Sequence, residues 1–323
     1  MKKRFFSLQQ IERDLGLNVP YVRGNDVPVR KCWHFMTDGK AVDVMFYDDT
    51  DFVDGINRIY VVAAAYDVII LAFVLMDTHV HFILYGDFDQ CNRFIHEYIR
   101  RTSMAISFRH GDRKKLASVR VSSQMIDTQD YLKTAICYVV KNPTNAGMDY
   151  LPMDYPWSSG SLYFRMLTGW TSPKWAGTMV FSEHLADMTD LYRKIFLKTN
   201  DKQAEDAEVS RDMVFPGTFV NYSLVERIFR THRGYLFHLG RTKDEDVELR
   251  GSSESGLSVS IQELRQIKTE LCKELFGENS SRKLAVTQRI KLAKTMKRQV
   301  GCSGKLIARV CGLSYDEVAA YLK

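Results

Sequence analysis

The chain is short of three things: paired cysteines, long uncharged apolar runs, and repetition. Its six cysteines, Cys32, Cys91, Cys137, Cys272, Cys302 and Cys311, form no Cys-x-x-Cys pair. That scatter excludes zinc-ribbon spacing and gives no disulfide framework of the kind small secreted domains need. Reduced thiols in a cytoplasmic protein are the expectation. The most apolar stretch, Tyr60 to Met76, is interrupted by Asp67 and is rich in Val and Ile. It reads as the end of a helix followed by a buried strand and not as a membrane span. The basic start, Met1 to Arg4, has no long apolar segment behind it, so no secretory leader is expected. The absence of internal repeats and low-complexity tracts excludes solenoids and compositionally disordered chains.

What is present is ample core material. Of 323 residues, 45% are hydrophobic and 12% aromatic. At roughly 100–200 residues per domain, two domains with a small third are expected. The net charge of +6 fits a polyanionic partner without requiring one. Its placement is more telling: cations crowd the last forty residues, including Arg289, Lys294, Lys305 and Arg309, while Asp201, Glu205, Asp206 and Glu208 form an acidic centre.

Periodicity and punctuation then order the elements. A lead-in over residues 1–30 holds one amphipathic helix near Ser7–Leu15. Lys31–Thr37 reads as a strand, and Asp48–Tyr66 as a helix whose acidic start suits its N-terminus. Val68–Met76 and His79–Tyr85 form a hairpin about Asp77-Thr78. A long helix from Asp89 to about His110 ends at Gly111. A strand follows over Val119–Ile126, then a helix over Asp130–Asn142, with Asp127 as N-cap and Pro143 as its stop. The order β-α-β-β-α-β plus a helix is the ferredoxin-like split βαβ arrangement, an α+β class. Beyond Trp157 the pattern weakens, with helical patches at Phe181–Phe196 and Ile261–Phe276 and a linker at Gly251–Gly256. The segments expected are 1–30, 31–165, 166–280 and 281–323. In the last, Ile290–Val300 and Ser303–Val310 read as two helices, Cys311-Gly312-Leu313 as a tight turn after them, and Ser314 as the cap of a third helix, Tyr315–Lys323. That is a helix-turn-helix outline, with a plain three-helix bundle as the alternative.

Function has to come from a site, because this fold serves many chemistries. Residues two apart on a strand share a face, so His79 and His81 aim together and can share one metal ion. Taken alone, the tripeptide favours histidines that merely hydrogen-bond within a polar sheet face, and the metal reading gains force only from partners. The other histidines read as isolated, with His34 a weak exception because its strand is expected to pair near the site. On the last helix Tyr138 and Asn142 are four apart and share a face. A phenol with a pKa near 10 is a weak nucleophile unaided, and a divalent cation on the scissile phosphate would compensate. The competing reading makes Tyr138 a packing aromatic. Arg100 and Arg101, with Arg113, Lys114 and Lys115 after them and Phe94, Tyr98 and Phe108 interleaved, suit single-stranded nucleic acid, or equally a solvated face over a core. Lys141, Lys305 and Arg309 are further candidates for phosphate contact. An RNA-binding module is disfavoured by the lack of aromatic-rich RNP strands.

Three segments together carry a resemblance: Leu75-Met76-Asp77-Thr78-His79-Val80-His81-Phe82, then Tyr138-Val139-Val140-Lys141-Asn142-Pro143, then Asp154-Tyr155-Pro156-Trp157-Ser158-Ser159. In order and spacing they resemble the REP-associated tyrosine transposases and their insertion-sequence relatives, single-tyrosine members of the HUH nucleases. The likeness spans residues 30–165. It implies His79, His81 and Asn142 as ligands of Mg²⁺ or Mn²⁺ and Tyr138 as nucleophile. It further implies cleavage of single-stranded DNA near a hairpin through a 5′-phosphotyrosine; separately, a monomer or homodimer with no membrane partner is expected. Asp77-Thr78 departs from the family's usual Pro-Asn. That departure and the long C-terminal extension leave a second expectation, a DNA-binding regulator on the same fold with little catalysis.

Overall fold

The computed structural model describes residues 6–20, 26–38, 44–111, 119–165, 182–200, 207–210, 213–242, 261–300, 304–313, 318 and 321. The chain divides into two compact units, Met1–Thr242 and Lys243–Lys323. The N-terminal lead-in and the described residues of 182–242 belong to the first.

The first unit is a mixed α+β structure on a four-stranded antiparallel sheet. Helix α1 (Leu8–Asp14) precedes strand β1 (Pro28–Thr37), helix α2 (Asp49–Ala63), β2 (Ile69–Leu75), β3 (Val80–Tyr85), α3 (Phe88–His110), β4 (Val121–Thr128) and α4 (Gln129–Asn145). The strand order is β2-β3-β1-β4, every neighbouring pair antiparallel. This is the split βαβ order, with β3 inserted between the two strands that α2 connects.

Local chemistry accounts for the boundaries. Asp48 caps α2 by accepting from Asp51 N–H at 2.9 Å, leaving Asp49 and Asp51 in the first turn where the helix dipole favours them. Helix α3 closes on Gly111, whose φ of +73° is the left-handed conformation that glycine adopts without a Cβ penalty. Two local expectations are corrected. The cap of α4 is Thr128, whose Oγ1 accepts from Tyr131 N–H at 3.3 Å, and not Asp127. Nor does Pro143 stop α4: the helix runs to Asn145, and the turn is completed by Ala146 N–H to Asn142 O and Met148 N–H to Pro143 O. In the last turn the missing proline donor leaves only one carbonyl, that of Val139, without its helical partner.

The two sheet faces are differently clothed. Phe82 turns to α3, with ring centroids 5.5 Å from Phe94 and 5.3 Å from Tyr98, all buried. Each such side chain contributes roughly 1.5–3 kcal/mol of burial. The opposite face takes His34, His81 and Ile83, and α4 lies over it. Strand β2 would be an open edge, and the segment Tyr155–Ser159 closes it. Leu75 N–H donates to Trp157 O (2.9 Å), Ser159 N–H to Phe73 O (3.0 Å), Phe73 N–H to Ser159 Oγ (3.0 Å) and Tyr155 Oη–H to Leu75 O (2.9 Å). Farther along β2, Asn221 N–H donates to Ile70 O at 2.9 Å. Blunted edges of this kind suppress pairing between chains.

The helical patch expected at Phe181–Phe196 is instead a short strand β5 (Ser182–His184), a 3₁₀ turn (Leu185–Asp187) and a helix α5 (Asp190–Leu197) capped by Thr189. Strand β5 pairs with β6 (Glu208–Ser210), and β6 with β7 (Met213–Val214). Helices α6 (Tyr222–Phe229) and α7 (His232–Arg241) follow.

The second unit packs α8 (Ile261–Phe276), α9 (Val286–Val300) and α10 (Gly304–Val310) around Leu264, Leu271, Leu292, Met296, Ile307 and Cys311. After α10 the chain turns at Gly312, with φ +70° and its carbonyl accepting from Arg289 Nη1 at 3.0 Å. The third helix expected of a helix-turn-helix, like the expected linker at 251–256, lies outside the described residues, save positions 318 and 321 of the helix.

Candidate functional site

On the α4 face the histidines converge. His79 immediately precedes β3 and His81 lies within it; their ring centroids are 5.0 Å apart. Asn142, in the last part of α4, bridges them. Its Oδ1 is 3.1 Å from His79 Nε2 and its Nδ2 is 3.3 Å from His81 Nε2. The Tyr138 ring, one turn earlier, stands edge-on to His81 (centroids 5.5 Å, 87°) and to His34 (5.9 Å, 72°). Tyr138 is 8% exposed and Asn142 8% exposed, so the site is lodged under α4 with narrow access.

The far nitrogen of each histidine is held. Thr78 Oγ1 is 2.8 Å from His79 Nδ1, and His34 Nε2 is 3.0 Å from His81 Nδ1. One set of tautomers satisfies the whole chain. Asn142 Nδ2–H donates to His81 Nε2, His81 Nδ1–H to His34 Nε2, and His79 Nε2–H to Asn142 Oδ1, with Thr78 donating to His79 Nδ1. The remainder falls on His34, whose buried Nδ1 finds no partner among the described residues. His34 is therefore the member that sequence reasoning set aside. Register brings it in: Met36 pairs with His81 across β1 and β3, which puts His34 diagonal to His81 on the same face.

Burial keeps these imidazoles neutral. It pulls His34 down to about 3 and His81 well below the usual histidine range, the latter also disfavoured by neighbouring His34 and His79. His79 is lowered by burial too, with partial relief from its Asn142 hydrogen bond and from Asp77. Neutral imidazoles with outer nitrogens anchored and inner nitrogens aimed at a shared carboxamide form a donor set that fits a divalent cation. In the turn before β3, Thr78 supplies a partner for His79, and the Asp77 carbonyl accepts from the Phe46 N–H at 3.1 Å.

A second cluster, Asp48, Asp51 and His110, also has ligand atoms within 4.8 Å of one another. It is already saturated. The two Asp51 oxygens serve Arg109 and His110, and Tyr47 N–H donates to one of them at 3.0 Å. Its role is to tie α2 to α3.

Of the residues expected to contact DNA, the side chains of Arg100, Arg101 and Lys141 are described. Arg100 and Arg101 both engage Glu97, at 2.7 and 2.6 Å, which holds that carboxyl down at about 2. Lys141 Nζ donates to Thr242 O at 2.8 Å. Arg113, Lys114 and Lys115 lie outside the described residues, as do the side chains of Lys305 and Arg309. Among the described residues, no helix is long and apolar enough to cross a membrane.

No protein-family pattern and no curated protein matches the chain. Among solved structures it is similar to a REP-associated tyrosine transposase bound to a REP hairpin, at 19% identity and a TM-score of 0.30, over 43% of this chain and 82% of that one. A likeness of that degree fixes no side chain.

Proposed function

We propose that the protein cleaves and rejoins single-stranded DNA through Tyr138, with His79, His81 and Asn142 holding Mg²⁺ or Mn²⁺. One observation supports this above all: two imidazole Nε2 atoms meet on one carboxamide beside an edge-on tyrosine ring. A divalent cation bound there would draw charge from the non-bridging oxygens of the scissile phosphate. The Tyr138 oxygen attacks phosphorus, the phenolic proton passes to water, and the P–O3′ bond breaks. The products are a 5′-phosphotyrosine and a free 3′-hydroxyl. Because the phosphoester is conserved, a second 3′-hydroxyl can reverse the step, which suits strand exchange. Thr78 and His34 hold the two histidines by their Nδ1 atoms throughout.

The test is covalent capture. Wild-type protein incubated with labelled hairpin-flanked single strands and Mn²⁺ forms a protein–DNA adduct that survives denaturing electrophoresis. Tyr138→Phe forms none, and His81→Ala loses the adduct while keeping most DNA binding. Cleavage by Tyr138→Phe would refute the assignment of the nucleophile. DNA binding without an adduct in the wild type would favour the regulatory reading.

A further inference from the structure

On the other side of the sheet from the histidines, α2, α3 and the residues that end α5 enclose a cavity of about 900 Å³. Arg58 stands on its wall, 9% exposed. Its guanidinium makes one hydrogen bond, from Nη1 to Thr102 Oγ1 at 3.3 Å, and no ion pair with a described carboxylate. Nearby, the buried hydroxyl of Tyr98 makes no well-formed hydrogen bond among the described residues. A buried guanidinium with five donors and one long bond is stabilised by an anion brought to it.

The rest of the lining fits that anion. Arg100, Arg101, Arg109 and Lys198 surround the cavity. Asp54 is shared by Arg109 and Lys198, Glu97 by Arg100 and Arg101, and Asp51 and Asp48 also face Arg109. Of these five cations, Arg58 is the one that makes no ion pair among the described residues, so the charge left over is centred on it. At the same mouth Phe108 is 95% exposed and Met104 60% exposed, an apolar shelf that water leaves unsatisfied. An exposed aromatic next to guanidinium groups is what a base stacked above its own phosphate requires.

We infer that this cavity binds a nucleotide unit, with the phosphate at Arg58 and the base against Phe108. The shared chemistry is a phosphate ester carrying a planar base, drawn either from a single-stranded DNA chain or from a free mononucleotide. The inference extends the DNA-handling reading but stands apart from the Tyr138 chemistry, because it lies on the opposite sheet face and involves none of its residues.

The experiment uses the full chain in EDTA, with two probes: a fluorescent oligothymidylate followed by anisotropy, and thymidine 5′-monophosphate followed by calorimetry. Phe108→Ala, at a site where nothing packs, leaves thermal melting unchanged and weakens binding about tenfold. Arg58→Gln, which keeps a donor for Thr102, does the same or more. Binding of the oligomer alone assigns the phosphate to a DNA chain; saturable binding of the monophosphate assigns it to a free nucleotide. Both support the site, provided Phe108→Ala weakens them. Wild-type affinity in Phe108→Ala, or no binding of either probe to the wild type, overturns it. Should Arg58→Gln not fold, Met104→Ala replaces it. Adduct formation by Tyr138 is scored separately, so failure of the strand-transfer chemistry leaves this outcome readable.

Discussion

Acid should weaken the first unit through His34 before any carboxylate is touched. In the unfolded chain His34 titrates near 6.5, whereas burial brings its folded pKa down to about 3. Between those values the unfolded state binds a proton that the folded state refuses, so stability falls as pH drops below 6.5 and continues falling towards 3. Going from pH 7 to pH 5, that single group removes about 2 kcal/mol, a sizeable part of the usual 5–15 kcal/mol. His81 and His79, both lowered, act in the same direction. Glu97, held at about 2, loses its contribution only below its ordinary range, well outside this window. All four tryptophans, Trp33, Trp157, Trp170 and Trp175, belong to residues 1–242, so fluorescence-detected urea unfolding reports this unit. With EDTA present, the wild type should lose about 2 kcal/mol more than His34→Gln between pH 7 and pH 5. Equal losses in the two proteins would refute the reasoning. A wild-type profile flat from 6.5 to 5 would refute it outright.

Three further outcomes follow from named contacts. Asp48→Ala removes the α2 cap and should cost about 1 kcal/mol, read as a lowered melting temperature. Ser159→Ala leaves the buried Phe73 N–H without its acceptor and should cost about 1–3 kcal/mol by urea unfolding; a neutral result would mean the β2 edge is closed without it. Cys32, Cys91 and Cys137 are buried, and desolvation pushes all three thiols up, Cys91 and Cys137 to about 12. They should react with a disulfide reagent only as the unit unfolds, and prompt native-state labelling at these positions would contradict that burial.

The legible part of the fold was local. The β-branched run of β2, the acidic opening of α2 and the glycine after α3 each state their conformation within a few residues, and the strand order follows from their sequence. Arg100 and Arg101 read from sequence as contacts to DNA, although their partner Glu97 is only three and four positions away on α3. Features decided by register or tertiary contact were not legible. His34 and His81 are 47 positions apart and meet only because of the β1–β3 pairing. Lys141 finds the carbonyl of Thr242, 101 positions along the chain. Tyr155-Pro156-Trp157-Ser158-Ser159 could be matched as a motif, but its work as the clasp on β2 needs the sheet to exist first. Between 182 and 197 a short strand, a 3₁₀ turn and a helix follow one another, and their summed apolar spacing mimics one amphipathic helix.

The clasp along β2 also has an evolutionary consequence. Tyr155 to Ser159 connects α4, which carries Tyr138 and Asn142, to the strand whose hairpin mate carries His81. Lengthening or shortening the stretch after α4 would therefore disturb strand closure and helix seating together. Insertions should be tolerated poorly between 145 and 160, where one short stretch has to satisfy a strand edge and a helix at once.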